Sequence, residues 1–121
     1  MRRNGRPGDA PPTQWQSRGF IIGAERKMPG ALAGIRIVDL TNIILGPYGT
    51  MLLADQGADV IKVEAPEGDM VRHIGKPAKT PGMGPTYLYV NRNKRSLCLD
   101  LKNAAARAAL LKVVATADAF V

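Results

Sequence analysis

Residues 35–64 read IRIVDLTNIILGPYGTMLLADQGADVIKVE, and this stretch decides the fold. The apolar run 35–39 predicts a short buried strand that ends at an aspartate. Residues 47–56 carry apolar side chains at helical spacing, open with a proline and are followed by Gly57, which is typical of a helix. Residues 60–64 are rich in β-branched side chains and predict a second strand. A strand–helix–strand unit with such short connections predicts two parallel strands joined by a right-handed crossover.

The sequence after this unit continues to alternate between strand and helix patterns. Residues 65–86 contain eight glycines and prolines and predict a long irregular loop, a kind of segment that often carries function. Residues 96–101 alternate between polar and apolar side chains, as a half-buried strand does. Asn103 is suited to cap a helix over residues 104–117. Residues 119–121 resemble the start of a further strand.

These patterns together predict an α/β fold, built on an incomplete Rossmann-like parallel sheet with flanking helices. A parallel sheet needs both of its faces covered. The two helices and three or four short strands that the patterns predict make only part of such a structure. Residues 28–121 are therefore expected to be the opening part of a domain that continues after residue 121.

The positive charge of the chain is concentrated at its beginning. The 121 residues carry a formal net charge of +7, and such a balance usually suggests nucleic-acid binding. Residues 1–27, however, hold six basic and two acidic residues, a net charge of +4, in a stretch rich in proline and glycine. This stretch is interpreted as a disordered basic tail, or as a start codon assigned too far upstream. A transit peptide and a basic arm for nucleic acid are the alternatives. The expected location is cytoplasmic, or mitochondrial if the leader is a transit peptide.

Several classes of protein are excluded by what the sequence lacks. No apolar run reaches the roughly 18 residues that a membrane-spanning helix needs. The single cysteine, Cys98, rules out an internal disulfide and a cysteine-based zinc site, and the single histidine, His73, rules out an HExxH metal centre. Neither a GxxxxGKS phosphate loop nor a GxGxxG motif after a strand is present. We therefore expect no metal and no tightly bound cofactor.

Three sequence segments, taken in order, form a distinctive pattern. The first is GIRIVDLT at 34–41 leading into LGPY at 45–48; the second is LLADQGADVIKVE at 52–64 with Gly-Asp at 68–69; the third is NRNKRS at 91–96 with LDLK at 99–102. In this order and spacing they closely resemble the N-terminal part of class III coenzyme A transferases, over about residues 31–121. That family includes formyl-CoA transferase, carnitine CoA-transferase and the succinyl-CoA:dicarboxylate transferases.

The resemblance implies a reaction that uses coenzyme A (CoA) as a substrate. In the family an aspartate carboxylate attacks an acyl-CoA thioester, an aspartyl anhydride forms, and CoA passes to an incoming carboxylic acid. That aspartate lies in a Gly-Asp segment beyond the matched region, so no catalytic residue is assigned here and the 121-residue chain alone is expected to be inactive. The implied partners are an acyl-CoA and a small carboxylic acid, with no nucleic acid or membrane, and the full-length protein is implied to be an intertwined homodimer.

The resemblance also implies which residues contact CoA. They follow the first strand and the third, and are Ile43, Ile44, Leu45, Leu99, Asp100, Leu101 and Lys102. An ammonium such as that of Lys102 suits the phosphates of CoA, and backbone amides before Pro47 would face a helix N-terminus, where anions are favoured. Some members carry arginine where this chain has Ala65, which weakens the case for a nucleotide contact there. Lys102 is as readily interpreted as a solvated residue of the first helical turn.

The basic turn 91–95 has a functional interpretation, in which it shapes the CoA entrance or the dimer contact. It also has a structural one, in which it is a solvated loop. Arg92 and Lys94 are expected to be solvated, whereas Asn93 and Arg95 are expected to make structure-defining bonds near the CoA site.

The other polar candidates also have structural interpretations. Four aspartates are candidate carboxylate nucleophiles: Asp39, Asp55, Asp59 and Asp69. Asp39 and Asp59, at strand ends, and Asp55, near a helix end, are instead expected to cap the backbone or to be exposed. Cys98 is either a small buried residue or lies on the face of its strand opposite to Leu97 and Leu99. His73 is expected to be solvated.

Two other functions compete with CoA transfer. An acyl-CoA racemase shares the fold and removes a proton from the carbon beside the thioester. A basic nucleic-acid-binding module predicts clustered lysine and arginine with interleaved aromatic residues. Only Arg92, Lys94 and Arg95 cluster in the folded part, and aromatic residues make up 5% of the chain. A truncated protein that neither folds nor acts is a third possibility.

Overall fold

The computed structural model describes residues 30–76 and 79–121, and the predicted basic tail, residues 1–27, lies outside them. The described part contains four strands, three α-helices and one 3₁₀ turn. In chain order they are β1 (Arg36–Asp39), α1 (Leu45–Asp55), β2 (Asp59–Glu64), the 3₁₀ turn (Met70–His73), α2 (Pro85–Val90), β3 (Arg95–Cys98), α3 (Ala104–Val114) and β4 (Ala119–Phe120).

The four strands form one parallel sheet in the order β3-β2-β1-β4. The chain builds outward from β1 through β2 to β3 and then crosses back, placing β4 on the other side of β1. Val38 of β1 lies opposite Ile61 of β2 and Phe120 of β4. The predicted α/β class with a Rossmann-like parallel sheet is therefore confirmed.

Each face of the sheet packs against helical residues, because successive side chains of a strand point to opposite faces. On one face Ile37 and Val60 pack with Ala54 of α1. On the other face Val38 and Val63 pack with Leu110, the one buried residue of α3. The same alternation puts Asp39, Lys62 and Glu64, although charged, on the face that α1 covers. All three side chains are buried there.

Several element boundaries differ from the predicted ones. The helix predicted over 47–56 begins two residues earlier, and the one predicted over 104–117 ends at Val114. The segment predicted as an irregular loop, 65–86, contains the 3₁₀ turn and the start of α2. The strand predicted over 96–101 ends at Cys98, because the Asp100 carboxylate accepts the N–H of Lys102 (3.1 Å) and turns the chain there.

Candidate functional site

A cavity of about 640 Å³ lies at the carboxyl ends of β1, β2 and β3. Parallel strands bring their carboxyl ends to the same edge of a sheet, which is where open α/β sheets bind ligands. The segments that follow the three strands form its walls. The lining residues are Leu40, Asn42, Ile43, Val63, Glu64, Ala65, Glu67, Gly68, Met70, Leu99, Asp100, Leu101 and Lys102.

The cavity brings together five of the seven predicted CoA contacts. Ile43 comes from the loop after β1, and the other four, residues 99–102, come from the turn after β3. Ile44 and Leu45 are not part of this lining: they stand at the N-terminus of α1, where the side chain of Leu45 is 87% exposed. No side chain caps this end of the helix. A role for Ile44 and Leu45 in binding CoA stays a prediction.

The walls of the cavity combine apolar surface with one ammonium group and with the carboxylates of Glu64, Glu67 and Asp100. Leucine, isoleucine and methionine side chains supply the apolar part, and Lys102 is the basic residue of the lining. The turn that carries Lys102 is fixed from outside, because Arg107 Nη1 donates to the carbonyl oxygens of Leu101 and Lys102, each at 2.9 Å. Ala65 also lines the cavity, and its short side chain leaves room there. Such a site suits a long ligand with apolar parts, and Lys102 is the residue of the lining that can pair with an anionic group of that ligand.

Glu64 lines the cavity but its charge is neutralised within the protein. Arg72 Nε and Nη2 lie 2.7 and 2.8 Å from its two oxygens, and the Tyr87 hydroxyl donates to Oε1 at 2.7 Å. Burial alone raises the pKa of Glu64, but these bonds and the N–H of Asp69 lower it to about 2. Burial and the neighbouring Glu64 raise the pKa of Tyr87. Glu64 is therefore a paired carboxylate that ties β2 to the 3₁₀ turn and α2.

Asp39 and Lys94 are buried together, so the predictions of exposure for Asp39 and of solvation for Lys94 are wrong. The alternative prediction for Asp39, that it caps the backbone, agrees with the structure, since Oδ1 accepts the N–H of Thr41 at 2.8 Å. Lys94 Nζ lies 3.0 Å from Asp39 Oδ2, and the two side chains are 2% and 0% exposed. Asp39 also accepts the hydroxyls of Thr41 (2.5 Å) and Thr50 (2.6 Å). Burial raises the pKa of Asp39, yet these hydrogen bonds hold it below its usual value. Burial lowers the pKa of Lys94 despite its partner.

Lys62 and Asp69 form a second buried pair, of which only Asp69 was singled out in the sequence, in the Gly-Asp motif and among the candidate nucleophiles. Nζ lies 3.0 Å from Oδ2, and the side chains are 1% and 0% exposed. The contact lacks the alignment of a hydrogen bond, so it is a close ion pair rather than a donor–acceptor bond. The signal that reveals Lys62 is strand alternation, since it shares its face with Val60 and Glu64. Asp69 gives no periodic signal, because it lies in a loop; its signal is the Gly-Asp motif at 68–69.

The remaining acidic candidates bind the basic turn after α2 and the start of β1. Asp55 accepts Arg92 Nη2 (2.5 Å) and Asn93 Nδ2 (2.8 Å). Asp59 lies 2.8 Å from Arg36 Nε and 3.3 Å from Arg95 Nη1. These pairs support the structural interpretation of Asn93 and Arg95, although neither residue lines the cavity.

Cys98 and His73 are both exposed. Cys98 therefore lies on the solvent side of its edge strand, one of the two predicted alternatives, and exposure of His73 agrees with the prediction.

Neither a membrane-spanning helix nor a metal-binding cluster is found in the described ranges 30–76 and 79–121. No helix among these residues is long and apolar enough to cross a membrane. No three histidine, cysteine or acidic side chains in the same ranges are grouped so that they would hold a metal ion.

Comparison with known proteins places the chain among CoA-transferases. The sequence profile of CoA-transferase family III matches residues 32–121. Succinyl-CoA:mesaconate CoA-transferase of Haloarcula hispanica is 49% identical over 96 residues, which are 76% of this chain and 24% of that protein. Human succinyl-CoA:glutarate CoA-transferase is 44% identical over 92 residues, 74% of this chain and 20% of that protein. The crystal structure of a CAIB/BAIF family protein from Brucella suis matches with a TM-score of 0.71 at 38% identity, over 76% of this chain and 25% of that one. This chain spans about a quarter of such relatives.

Proposed function

The chain belongs to CoA-transferase family III, and from this premise we propose that its cavity is part of the CoA site of an enzyme that moves CoA between an acyl-CoA and a carboxylic acid. The observation that carries the proposal is the cavity at the carboxyl edge of the sheet, which joins apolar walls to the ammonium of Lys102. CoA has the matching chemistry: an adenine and a pantetheine arm that pack on apolar surface, and phosphates that pair with an ammonium.

The proposed orientation of CoA is supported by the position of Lys102, the basic residue of the cavity lining. Lys102 lies in the turn after β3, so the phosphates are placed at that side of the cavity. A long ligand that leaves the cavity at Ile43 passes next to Ile44 and Leu45, at the uncapped N-terminus of α1. Unpaired backbone N–H groups at a helix N-terminus favour polar and anionic atoms. This keeps all seven predicted contacts as parts of one proposed CoA path.

The acid that receives CoA is proposed to be a small dicarboxylic acid. The relatives are named for succinyl-CoA with mesaconate or glutarate, and for formyl-CoA or acetyl-CoA with oxalate. The proposed mechanism forms an anhydride between the acyl group and an aspartate carboxylate. We assign that role to none of the aspartates in ion pairs, because Asp39 and Asp69 are buried and Asp55 and Asp59 are bound to arginines.

The rest of the family fold is proposed to cover the apolar surface that α1 and α2 expose. Leu45, Leu88 and Tyr89 are each more than half exposed. Large exposed apolar side chains that lie near one another mark surfaces that contact other protein segments. An intertwined homodimer of the full-length enzyme, as the family resemblance implies, would supply such segments.

The first experiment tests the function of the segment inside an active enzyme. Residues 32–121 would replace the matching segment of the Agrobacterium fabrum succinate–glutarate CoA-transferase, which is 43% identical over 99 residues. Transfer of CoA from succinyl-CoA to glutarate by the chimera is the expected result. A chimera that folds and binds neither substrate contradicts the proposal, and the same chimera with Lys102→Ala tests the phosphate contact.

The second experiment tests CoA binding by the 121-residue chain itself. In ¹H–¹⁵N spectra recorded during titration with CoA, the amides of residue 43 and of residues 99–102 are expected to shift. The exposed face of α3, around Leu111, serves as an internal control because it lies outside the cavity lining. Shifts confined to that control face, or no shifts at all, would contradict the proposed site.

A further inference from the structure

Ile43 lines the cavity in a backbone conformation that isoleucine rarely adopts. Its φ is 70°, in the left-handed region, where the branched Cβ crowds the neighbouring carbonyl oxygen. The side chain is 46% exposed, so its own packing does little to hold this conformation. A strained residue persists only where its surroundings over-determine its geometry, and such residues cluster at ligand sites.

The buried pair of Lys62 and Asp69 restrains the backbone just before the strained residue, at the two peptide groups that flank Asn42. Asp69 Oδ1 accepts the N–H of Ile43 at 3.2 Å. Lys62 Nζ donates to the carbonyl oxygen of Thr41 at 2.7 Å. Because Nζ also lies 3.0 Å from Asp69 Oδ2, the two restraints are coupled through one ion pair.

The same pair joins two walls of the cavity. Ile43 belongs to the wall that follows β1, whereas Gly68 and Met70, the two neighbours of Asp69, belong to the wall that follows β2. Asp69 is itself fixed, since its N–H donates to Glu64 Oε2 at 2.8 Å and its Oδ1 accepts the N–H of Val71 at 3.1 Å. The distance between the walls is therefore set by buried charges rather than by the exposed residues that line them.

We propose that Lys62 and Asp69 are positioning residues that hold Ile43 in its left-handed conformation and so set the affinity of the cavity for CoA and its thioesters. The inference rests on the proposed function for the identity of the ligand, but not for the restraint on Ile43. Neither Lys62 nor Asp69 lines the cavity, so both act through the backbone of residues 41–43. A preorganised wall binds more tightly than one that must be ordered by its ligand.

The first test measures the backbone of Ile43 without any ligand. A positive φ brings the amide and α protons of a residue close together, so Ile43 is expected to show a strong intraresidue NOE. In Asp69→Ala the NOE is expected to weaken to the level of ordinary residues. An undiminished NOE in a folded Asp69→Ala chain overturns the positioning role. If Asp69→Ala does not fold, Lys62→Met, which removes the ion pair and the bond to Thr41 with little change of side-chain volume, is read in the same way.

The second test measures affinity and asks whether relief of the strain rescues it. CoA is expected to bind Asp69→Ala about tenfold more weakly than the wild type, the effect of a modest lost restraint. In a chain that already carries Ile43→Gly, the further change Asp69→Ala is expected to cost about threefold or less, because glycine adopts a positive φ without steric cost. Equal losses in the two backgrounds overturn the inference.

Two controls separate this inference from instability and from the proposed function. Val60→Ala, in the core cluster beneath α1, lowers stability without touching residues 41–43 and is expected to change neither the NOE nor the affinity. An NOE that responds to Asp69→Ala in a chain to which CoA does not bind supports the restraint on Ile43 and overturns the proposed ligand. An NOE that does not respond in a chain that binds CoA overturns the restraint alone.

Discussion

Asp39 and Lys94 are separated by 55 positions in the sequence, yet Asp39 Oδ2 lies 3.0 Å from Lys94 Nζ in the interior of the protein. Lys94 Nζ also donates to the carbonyl oxygen of Pro47 at 2.8 Å and to Asn91 Oδ1 at 2.9 Å. The pair thus connects the end of β1, the first turn of α1 and the turn after α2. The layer between the sheet and its helices is held by buried charges as well as by apolar packing.

Replacement of Lys94 by methionine is expected to lower the free energy of unfolding by about 3–5 kcal/mol, because it leaves the carboxylate of Asp39 buried without its counter-charge. Urea denaturation at neutral pH measures the change. Lys112→Met, at an exposed position in the last turn of α3, is the matched control and is expected to be nearly neutral. A loss for Lys94→Met as small as that of the control would show that the pair contributes little.

The stability of the protein is expected to fall in acid through Glu64. The pKa of this carboxyl is about 2 in the folded protein against 4.5 for an ordinary glutamate, so the unfolded chain takes up a proton first as the pH drops. The stabilisation is fully present above pH 4.5 and is lost as the pH falls towards 2. Between these limits the free energy of unfolding of Glu64→Gln should change less with pH than that of the wild type. Glu67→Gln, at an exposed position of the loop that follows β2, should keep the pH dependence of the wild type.

Replacement of Lys102 by alanine is expected to weaken CoA binding about tenfold, the loss of one charge-assisted hydrogen bond to a phosphate. Calorimetric titration with CoA measures the change, and the difference between variant and wild type should shrink as salt is added. Lys112→Ala carries the same change of charge outside the cavity and is expected to bind like the wild type. Equal affinity for all three proteins would remove Lys102 from the proposed site.

Asn93 offers a test of backbone strain away from the cavity. Its φ is 63°, and its side-chain amide donates to Asp55 Oδ1 at 2.8 Å. Asn93→Gly and Asn93→Ala both remove that bond, but only alanine meets the steric penalty of a positive φ. The alanine variant is expected to be less stable than the glycine variant by about 1 kcal/mol in thermal or urea unfolding. An alanine variant as stable as the glycine variant would mean that the turn relaxes out of the left-handed region.

Most of the sheet could be predicted from the sequence because its signals are local. A run of β-branched residues, a proline that opens a helix and a glycine that closes it lie within 35–64, and this is the segment where prediction and structure agree best. The five residues that do line the cavity also follow strands whose ends could be located. The segment 65–86 could not be predicted in this way, since proline and glycine hide the 3₁₀ turn that Asp69 caps and that carries Arg72.

The sequence by itself determined the class of the fold, because alternation and helical spacing specify which residues form each strand and helix before any contact is made. Only the tertiary structure decided which charged residues are buried and which are exposed. Asp39, Lys62 and Lys94 are interior residues because each meets an opposite charge from a distant segment, and an ion can be buried only where such a partner is present. The pairing partners lie 7 to 55 positions apart, so strand alternation can place Asp39 and Lys62 on a covered face, but only the folded arrangement supplies the partner charges.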